Sequence, residues 1–365
     1  MKKSIELKAF CDWSPAGKDH LIISGPCGAE TEEQVLSTAG QLAATNKVNI
    51  FRAGIWKPRT RPNSFEGVGE IGLKWLQQVK KQYGLLTTVE VANREHTELA
   101  LKYGVDILWF GARTTVNPFS VQEIADVLKG VDVPVMIKNP VNPDLQLWIG
   151  AIERINQAGI NKIAAIHRGF HSGNKTIYRN NPMWEIPIEL KTLYPDLAII
   201  CDPSHIGGKR TLIKEISQKS IDLGMQGLMI ESHIDPDHAL SDAQQQITPQ
   251  VLLELLESLV YRTEYTDNVS FNDQLNNFRN IIDELDEELL SLLKKRIDII
   301  EKIGEYKLEN KVAAFQLQRW KVILESRVAS GDLKKLDRGF VEKFCMLLHE
   351  ESIRVQTELM NKENQ

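Results

Sequence analysis

The chain has 365 residues, 42% apolar and 25% charged, proportions of an ordinary globular protein that exclude a disordered or fibrous polymer. Its length exceeds one average domain, and a formal net charge of −5 argues against nucleic acid as a general partner. The opening residues are broken by charge, and no apolar run approaches the roughly 20 residues of a membrane span, so neither export nor membrane insertion is expected. Cys11, Cys27, Cys201 and Cys345 are scattered without a Cys-x-x-Cys pair, which fits reduced thiols in the cytoplasm.

Residues 1–13 precede the first apolar strand and read as an extra strand or hairpin capping a larger body. From there short apolar runs alternate with helix-length amphipathic segments. The strands are expected at 21–25, 49–54, 85–91, 107–111, 134–138, 162–167, 197–202 and 228–232. About eight βα repeats over some 240 residues predict an α/β fold of the (β/α)8 TIM-barrel type. An open doubly wound sheet is the other candidate, but no Gly-x-Gly-x-x-Gly follows the first strand. The barrel domain is expected over 1–262.

After the second strand comes Lys57-Pro58-Arg59-Thr60-Arg61-Pro62, where proline stiffens a loop that carries three cations. Such a loop suits phosphate and carboxylate groups. Barrel chemistry gathers at the C-terminal ends of the strands. Those positions carry Cys27, Arg52, Lys57, Arg113, Lys138, Arg168, His205 and Glu231, with Asp242 in the loop after the last strand. Each has an ordinary reading alone: a core cysteine, a solvated strand end, a loop histidine. Together they split into a cationic set and a set of metal-ligand types. A thiolate, an imidazole and two carboxylates suit manganese, iron, cobalt or zinc better than magnesium or calcium.

These residues, in the stretches Gly25-Pro26-Cys27, Arg52-Ala53-Gly54-Ile55-Trp56-Lys57-Pro58-Arg59-Thr60, Gly111-Ala112-Arg113, Ile137-Lys138, His167-Arg168-Gly169, Asp202-Pro203-Ser204-His205, Glu231-Ser232-His233 and Leu240-Ser241-Asp242, resemble 3-deoxy-D-arabino-heptulosonate 7-phosphate (DAHP) synthase of type Iβ. The resemblance covers the whole barrel in order. It implies condensation of phosphoenolpyruvate with erythrose 4-phosphate, the entry step of the shikimate pathway. It implies that Cys27, His205, Glu231 and Asp242 bind a divalent metal, manganese first among the candidates. Arg52, Lys57, Arg113, Lys138 and Arg168 would then hold phosphoenolpyruvate, with Lys57 also catalytic, and Pro58, Arg59 and Thr60 would line the erythrose 4-phosphate site. Arg61 and Gly28 depart from the family's usual residues. 3-Deoxy-D-manno-octulosonate 8-phosphate synthase is the close alternative, and the Lys57-Pro58-Arg59-Thr60 loop favours the four-carbon sugar over it.

The texture changes at 263–270, a polar linker. Beyond it, over 271–365, strand patterns vanish. Asn272 or Asp273 can cap a helix running to about residue 309, with apolar residues at Leu275, Phe278, Ile282, Leu285, Leu289, Leu292, Ile299 and Ile303. At roughly 55 Å it is too long for so small a domain to cover, so a partner chain is expected to bury part of it. Further helices are expected over 316–328 and 338–360. Arg296 and Lys307 are eleven residues apart and share a stripe of the long helix, whereas Arg279 lies roughly 25 Å from Arg296 and faces elsewhere.

This arrangement, with Phe278-Arg279-Asn280-Ile281-Ile282-Asp283-Glu284-Leu285-Asp286, resembles the all-helical chorismate mutases, which are intertwined dimers. The resemblance implies that Arg279 of one chain serves the other's site. It implies chorismate binding by Arg279, Arg296, Lys307, Gln316, Arg319, Ser352 and Gln356. Arg296, Lys307 and Gln356 would be catalytic in the rearrangement to prephenate, which needs no cofactor. Gln316 and Trp320 stand where the family commonly has a carboxylate. A module that senses chorismate or prephenate without turning it over is the alternative. The combined expectation is a bifunctional homodimer whose synthase responds to chorismate or prephenate.

Overall fold

The computed structural model of the chain describes residues 5–17, 19–57, 65–173, 176–262 and 266–362. The chain separates into two units, Met1–Glu264 and Tyr265–Gln365. In the first, β1 (Leu21–Gly25), β2 (Ile50–Arg52), β3 (Leu86–Val91), β4 (Ile107–Phe110), β5 (Val135–Lys138), β6 (Ile163–His167), β7 (Ala198–Cys201) and β8 (Gly227–Glu231) form a closed barrel. All neighbours are parallel, and β8 returns to pair with β1 so that Gly25 lies opposite Glu231. Every strand falls within two residues of its expected place.

The outer helices are α1 (Glu32–Ala44), α2 (Ile71–Tyr83), α3 (Arg94–Lys102), α4 (Ala112–Thr115), α5 (Pro118–Leu128), α6 (Leu145–Gln157), α7 (Glu185–Leu193), α8 (Pro203–Gly207), α9 (Arg210–Asp222) and α10 (Pro249–Glu257). Several start at side chains that accept from an orphan amide of the first turn: Thr31, Asn93, Asp144 and Thr248. Alternation along the strands divides the apolar residues into two layers. Leu21, Ile23, Ile50, Trp109, Met136, Ile166, Ile200 and Met229 fill the barrel, while Ile22, Phe51, Leu108, Ile137, Ala165 and Leu228 pack under the helices.

The expected N-terminal strand or hairpin does not form in residues 5–17. Phe10–Asp12 is instead a turn of 3₁₀ helix. A closed barrel has no free edge for another strand, so this segment covers the barrel with side chains. Phe10 and Trp13 meet edge to face at 5.0 Å and pack against the interior layer.

The second unit is three helices, α11 (Val269–Glu309), α12 (Leu317–Leu333) and α13 (Arg338–Lys362), with α13 packed on both others. α11 begins earlier than expected because Asn268, rather than Asn272 or Asp273, caps it by accepting from the Phe271 amide. Its small core is Val328, Val341 and Cys345, flanked by Trp320 and Leu324. Most of the predicted apolar stripe of α11 stays uncovered in one chain: Phe278 is 55% exposed, Leu289 52% and Leu292 60%. Among the described residues no helix is long and apolar enough to cross a membrane.

Candidate active sites

Three potential ligand atoms, from Cys27, Glu231 and Asp242, lie within 4.8 Å of one another at the C-terminal mouth of the barrel. Cys27 follows β1 and is fully buried, its amide donating to Gln246 Oε1 at 2.9 Å. Its Sγ is 3.5 Å from Asp242 Oδ2 and 2.9 Å from Lys57 Nζ, and the same ammonium donates to the Cys27 carbonyl. Glu231 ends β8. Its Oε2 accepts from Gln245, while its buried Oε1 makes no hydrogen bond among the described residues and sits 3.2 Å from Arg52 Nη2. Asp242 takes a left-handed backbone conformation, φ 51°, and is paired with Arg179 at 3.0 Å.

His205 stands at the edge of this group, its Nε2 3.8 Å from Glu231 Oε1. Its other nitrogen faces the buried Asp202 carboxylate at 2.8 Å, which leaves Nε2 for a ligand. Asp202 also binds Lys138 Nζ at 2.8 Å. Thus one carboxylate aims a histidine at the cluster and a lysine into the same mouth.

The charges suit a cation held among groups that attract anions. Burial, reinforced by Glu231 and Asp242, pushes the Cys27 thiol up to about 12. Burial alone would raise the carboxyls, but Arg179, His205 and Lys57 hold Asp242 at about 2, and His205, Arg52 and Lys57 keep Glu231 below its usual range. Burial holds His205 low against the pull of Asp202, so it is neutral and able to ligate. A soft sulfur, an aimed imidazole nitrogen and two ionised carboxylates, one with an orphaned oxygen, fit a divalent transition metal.

Around this cluster the fold gathers the expected cations. Arg52 lies over the Trp109 ring at 5.0 Å. Arg168 is pinned by Asn180 and is drawn down to about 10 by burial, with Arg179 and Arg113 among its opposing charges. Arg113 is exposed in α4. The expected erythrose 4-phosphate residues Pro58, Arg59 and Thr60, and Arg61 with them, lie outside the described residues.

Several participants escaped sequence reading. Asp202 was visible in Asp202-Pro203-Ser204-His205, but nothing local shows that it bridges Lys138 and His205. Glu90, near the end of β3, accepts from Trp109 Nε1 at 3.3 Å, and the absence of a side chain at Gly111 makes room for its carboxylate. Arg179 and Gln245 come from loops without a pattern.

In the helical unit, Arg296 Nη1 donates to Ser352 Oγ at 2.8 Å, and Gln356 donates to the Ser352 carbonyl at 3.0 Å. Lys307 Nζ is held by the Ala314 carbonyl at 2.7 Å. Gly304 lets the Gln356 side chain approach α11. Ser352 and Gln356 of α13 thus meet α11 at Arg296 and Gly304, while Lys307 is tied to the segment that follows α11. Arg319 and Gln316 are exposed on and beside α12, and Arg279 is exposed on α11, where it donates to the neighbouring Asn276. His349, which sequence reading passed over, stacks on Trp320 at 4.0 Å beside this group.

Residues 12–268 match the model of the DAHP synthetase I family, and residues 278–357 that of chorismate mutase type II. A phospho-2-dehydro-3-deoxyheptonate aldolase of Thermotoga maritima is 32% identical over 238 residues, covering 65% of this chain and 68% of its own. A 2-dehydro-3-deoxyphosphooctonate aldolase of Legionella pneumophila is 30% identical over 275 residues, covering 68% of this chain and 96% of its own. The crystal structure of the Thermotoga maritima DAHP synthase superposes with a TM-score of 0.60 at 30% identity, over 66% of this chain and 68% of that one. The barrel with its strand-end constellation and the helical unit that follows it are thus those of a bifunctional enzyme, and the chain belongs to the DAHP synthetase I family, extended by a chorismate mutase type II domain.

Proposed function

We propose that the barrel condenses phosphoenolpyruvate with erythrose 4-phosphate and water to give DAHP and phosphate, using a divalent metal held by Cys27, His205, Glu231 and Asp242, with manganese the first candidate. The observation that carries this reading is the Cys27, Glu231 and Asp242 cluster ringed by Arg52, Lys57, Lys138 and Arg168. A bound metal would supply Lewis acidity to the aldehyde oxygen of the sugar. The protein's own groups do the rest. Arg52, Arg113, Lys138 and Arg168 offset the charge of two phosphates and a carboxylate brought together, and so align the enol carbon of phosphoenolpyruvate with the aldehyde carbon. Lys57 Nζ, beside the metal-ligand set, is placed to give a proton to the oxygen that becomes a hydroxyl. Water adds to the second carbon of phosphoenolpyruvate, and its C–O bond to phosphate breaks. Pro58, Arg59 and Thr60 are assigned to the sugar phosphate.

The helical unit rearranges chorismate to prephenate in this proposal. Arg296, Arg319 and the partner copy's Arg279 take the carboxylates, with Gln316 and Ser352 completing the pocket. Lys307 and Gln356 face the ether oxygen, whose negative charge grows as its bond breaks. The uncovered stripe of α11 supports a homodimer. Four free cysteines suit a reducing cytoplasm. Prephenate or chorismate bound here would act as a feedback effector of the synthase, and an unchanged synthase rate at saturating prephenate would remove that part.

The deciding experiment follows phosphoenolpyruvate consumption with erythrose 4-phosphate or arabinose 5-phosphate, before and after chelation. Turnover of the four-carbon sugar that stops with chelator and returns with manganese is expected. Preference for arabinose 5-phosphate would instead make the barrel an octulosonate phosphate synthase, and activity indifferent to thorough chelation would remove the metal.

A further inference from the structure

His349 has no part in the roles assigned above. It lies on α13 three residues before Ser352 and seven before Gln356, so the three side chains share one face of that helix. Its ring is parallel to the Trp320 indole of α12, with 4.0 Å between centroids and 12° between planes, and it meets the Phe315 ring at 5.7 Å. Contacts with two rings leave the imidazole little rotational freedom. Nε2 of His349 is nevertheless buried without a hydrogen-bond partner among the described residues, and so is Oε1 of Gln356 on the same face. Unpaired polar atoms in a buried place are costly, and two on one helix face mark where a ligand's polar groups belong.

We propose that His349, held against Trp320, recognises the ring hydroxyl of the ligand bound in the helical-unit pocket through Nε2. The proposal rests on the chorismate mutase reading above. Chorismate and prephenate each carry two carboxylates and a neutral ring hydroxyl. Arginines suit the carboxylates, but a guanidinium or ammonium can only donate, and the indole of Trp320 has only an N–H. A neutral imidazole can accept the hydroxyl's proton in a hydrogen bond. His349 is in that form at neutral pH: burial, then the charges of Arg296 and Lys307, hold it below its ordinary range against the opposing pull of Glu350. The same two cations make a protonated His349 unfavourable in this pocket.

The test is calorimetric binding of prephenate, and of prephenate with its ring hydroxyl replaced by hydrogen, to the full-length wild type, to His349→Phe and to His349→Gln. The Phe variant keeps a ring on Trp320 and removes the acceptor, while the Gln variant keeps an acceptor. For wild type, loss of the hydroxyl is expected to weaken binding about fivefold or more, the scale of one hydrogen bond. His349→Phe should bind both ligands alike, with roughly the affinity wild type has for the dehydroxylated one, and His349→Gln should regain part of the discrimination. Wild type showing no discrimination, or His349→Phe keeping all of it, overturns the proposal while leaving the mutase reading intact. A wild type that neither binds prephenate nor rearranges chorismate overturns both.

Discussion

His167 and Arg168 are adjacent, yet the strand's alternation sends them to different duties. Arg168 is pinned by Asn180 beside the strand ends, whereas His167 is fully buried between Phe170 and Trp184, at 5.8 and 5.1 Å between ring centroids. Burial, with the charge of Arg168, lowers its pKa to about 3. The unfolded chain accepts this proton near pH 6.5 and the fold only near 3, so between these values the unfolded state binds more protons. Stability from this group is therefore complete above about pH 6.5 and falls as the pH drops. A His167→Phe variant, followed by urea unfolding, should lose about 2 kcal/mol less than wild type between pH 7 and pH 5. Parallel pH dependence in the two proteins would show that the buried imidazole does not set it.

The strand ends are where elements become a site, and their spacing is tight enough to demand glycine. At the end of β1, Gly25 has φ 147°, and a Cβ there would lie 2.0 Å from the Arg52 carbonyl oxygen of β2. No flexible side chain can yield, because the obstacle is backbone. Gly25→Ala should therefore push β1 from β2, lower stability by more than about 2 kcal/mol, and weaken metal binding by displacing Cys27 two residues later and Arg52 opposite. An alanine variant with the melting temperature and metal affinity of wild type would disprove this reading. α11 shows a different logic: its length and stripe were legible, but not its start, because Asn268 competes with later residues as a cap and only the built turn shows which side chain accepts an amide.

For the assembled protein, the proposed dimer makes a prediction that no single chain can satisfy. Arg279 and Arg296 stand far apart along one helix, so if both act on one substrate they come from different copies. Arg279→Ala and Arg296→Ala should each abolish most mutase activity as homodimers. Unfolded together and refolded, they should recover about a quarter of wild-type activity, because half of the randomly paired dimers carry one intact site of two. No recovery, with dimers confirmed by sedimentation, would place both arginines in the same chain's site.

Apolar periodicity alone determined the barrel and the helical extension, since strands of period two and helices of period 3.6 leave different marks on a chain. It also brought Cys27, Glu231 and Asp242 to notice, because strand ends map to one mouth whatever the loops do. The tertiary structure alone decided what those groups do to one another. Asp202 between Lys138 and His205, Glu90 over Gly111, Arg179 on Asp242 and His349 on Trp320 are meetings of residues from different elements, fixed by closure and packing. The N-terminal segment followed the same rule. Its sequence was compatible with a strand, but the closed barrel has no edge to offer it, and Phe10 and Trp13 packed against the interior instead.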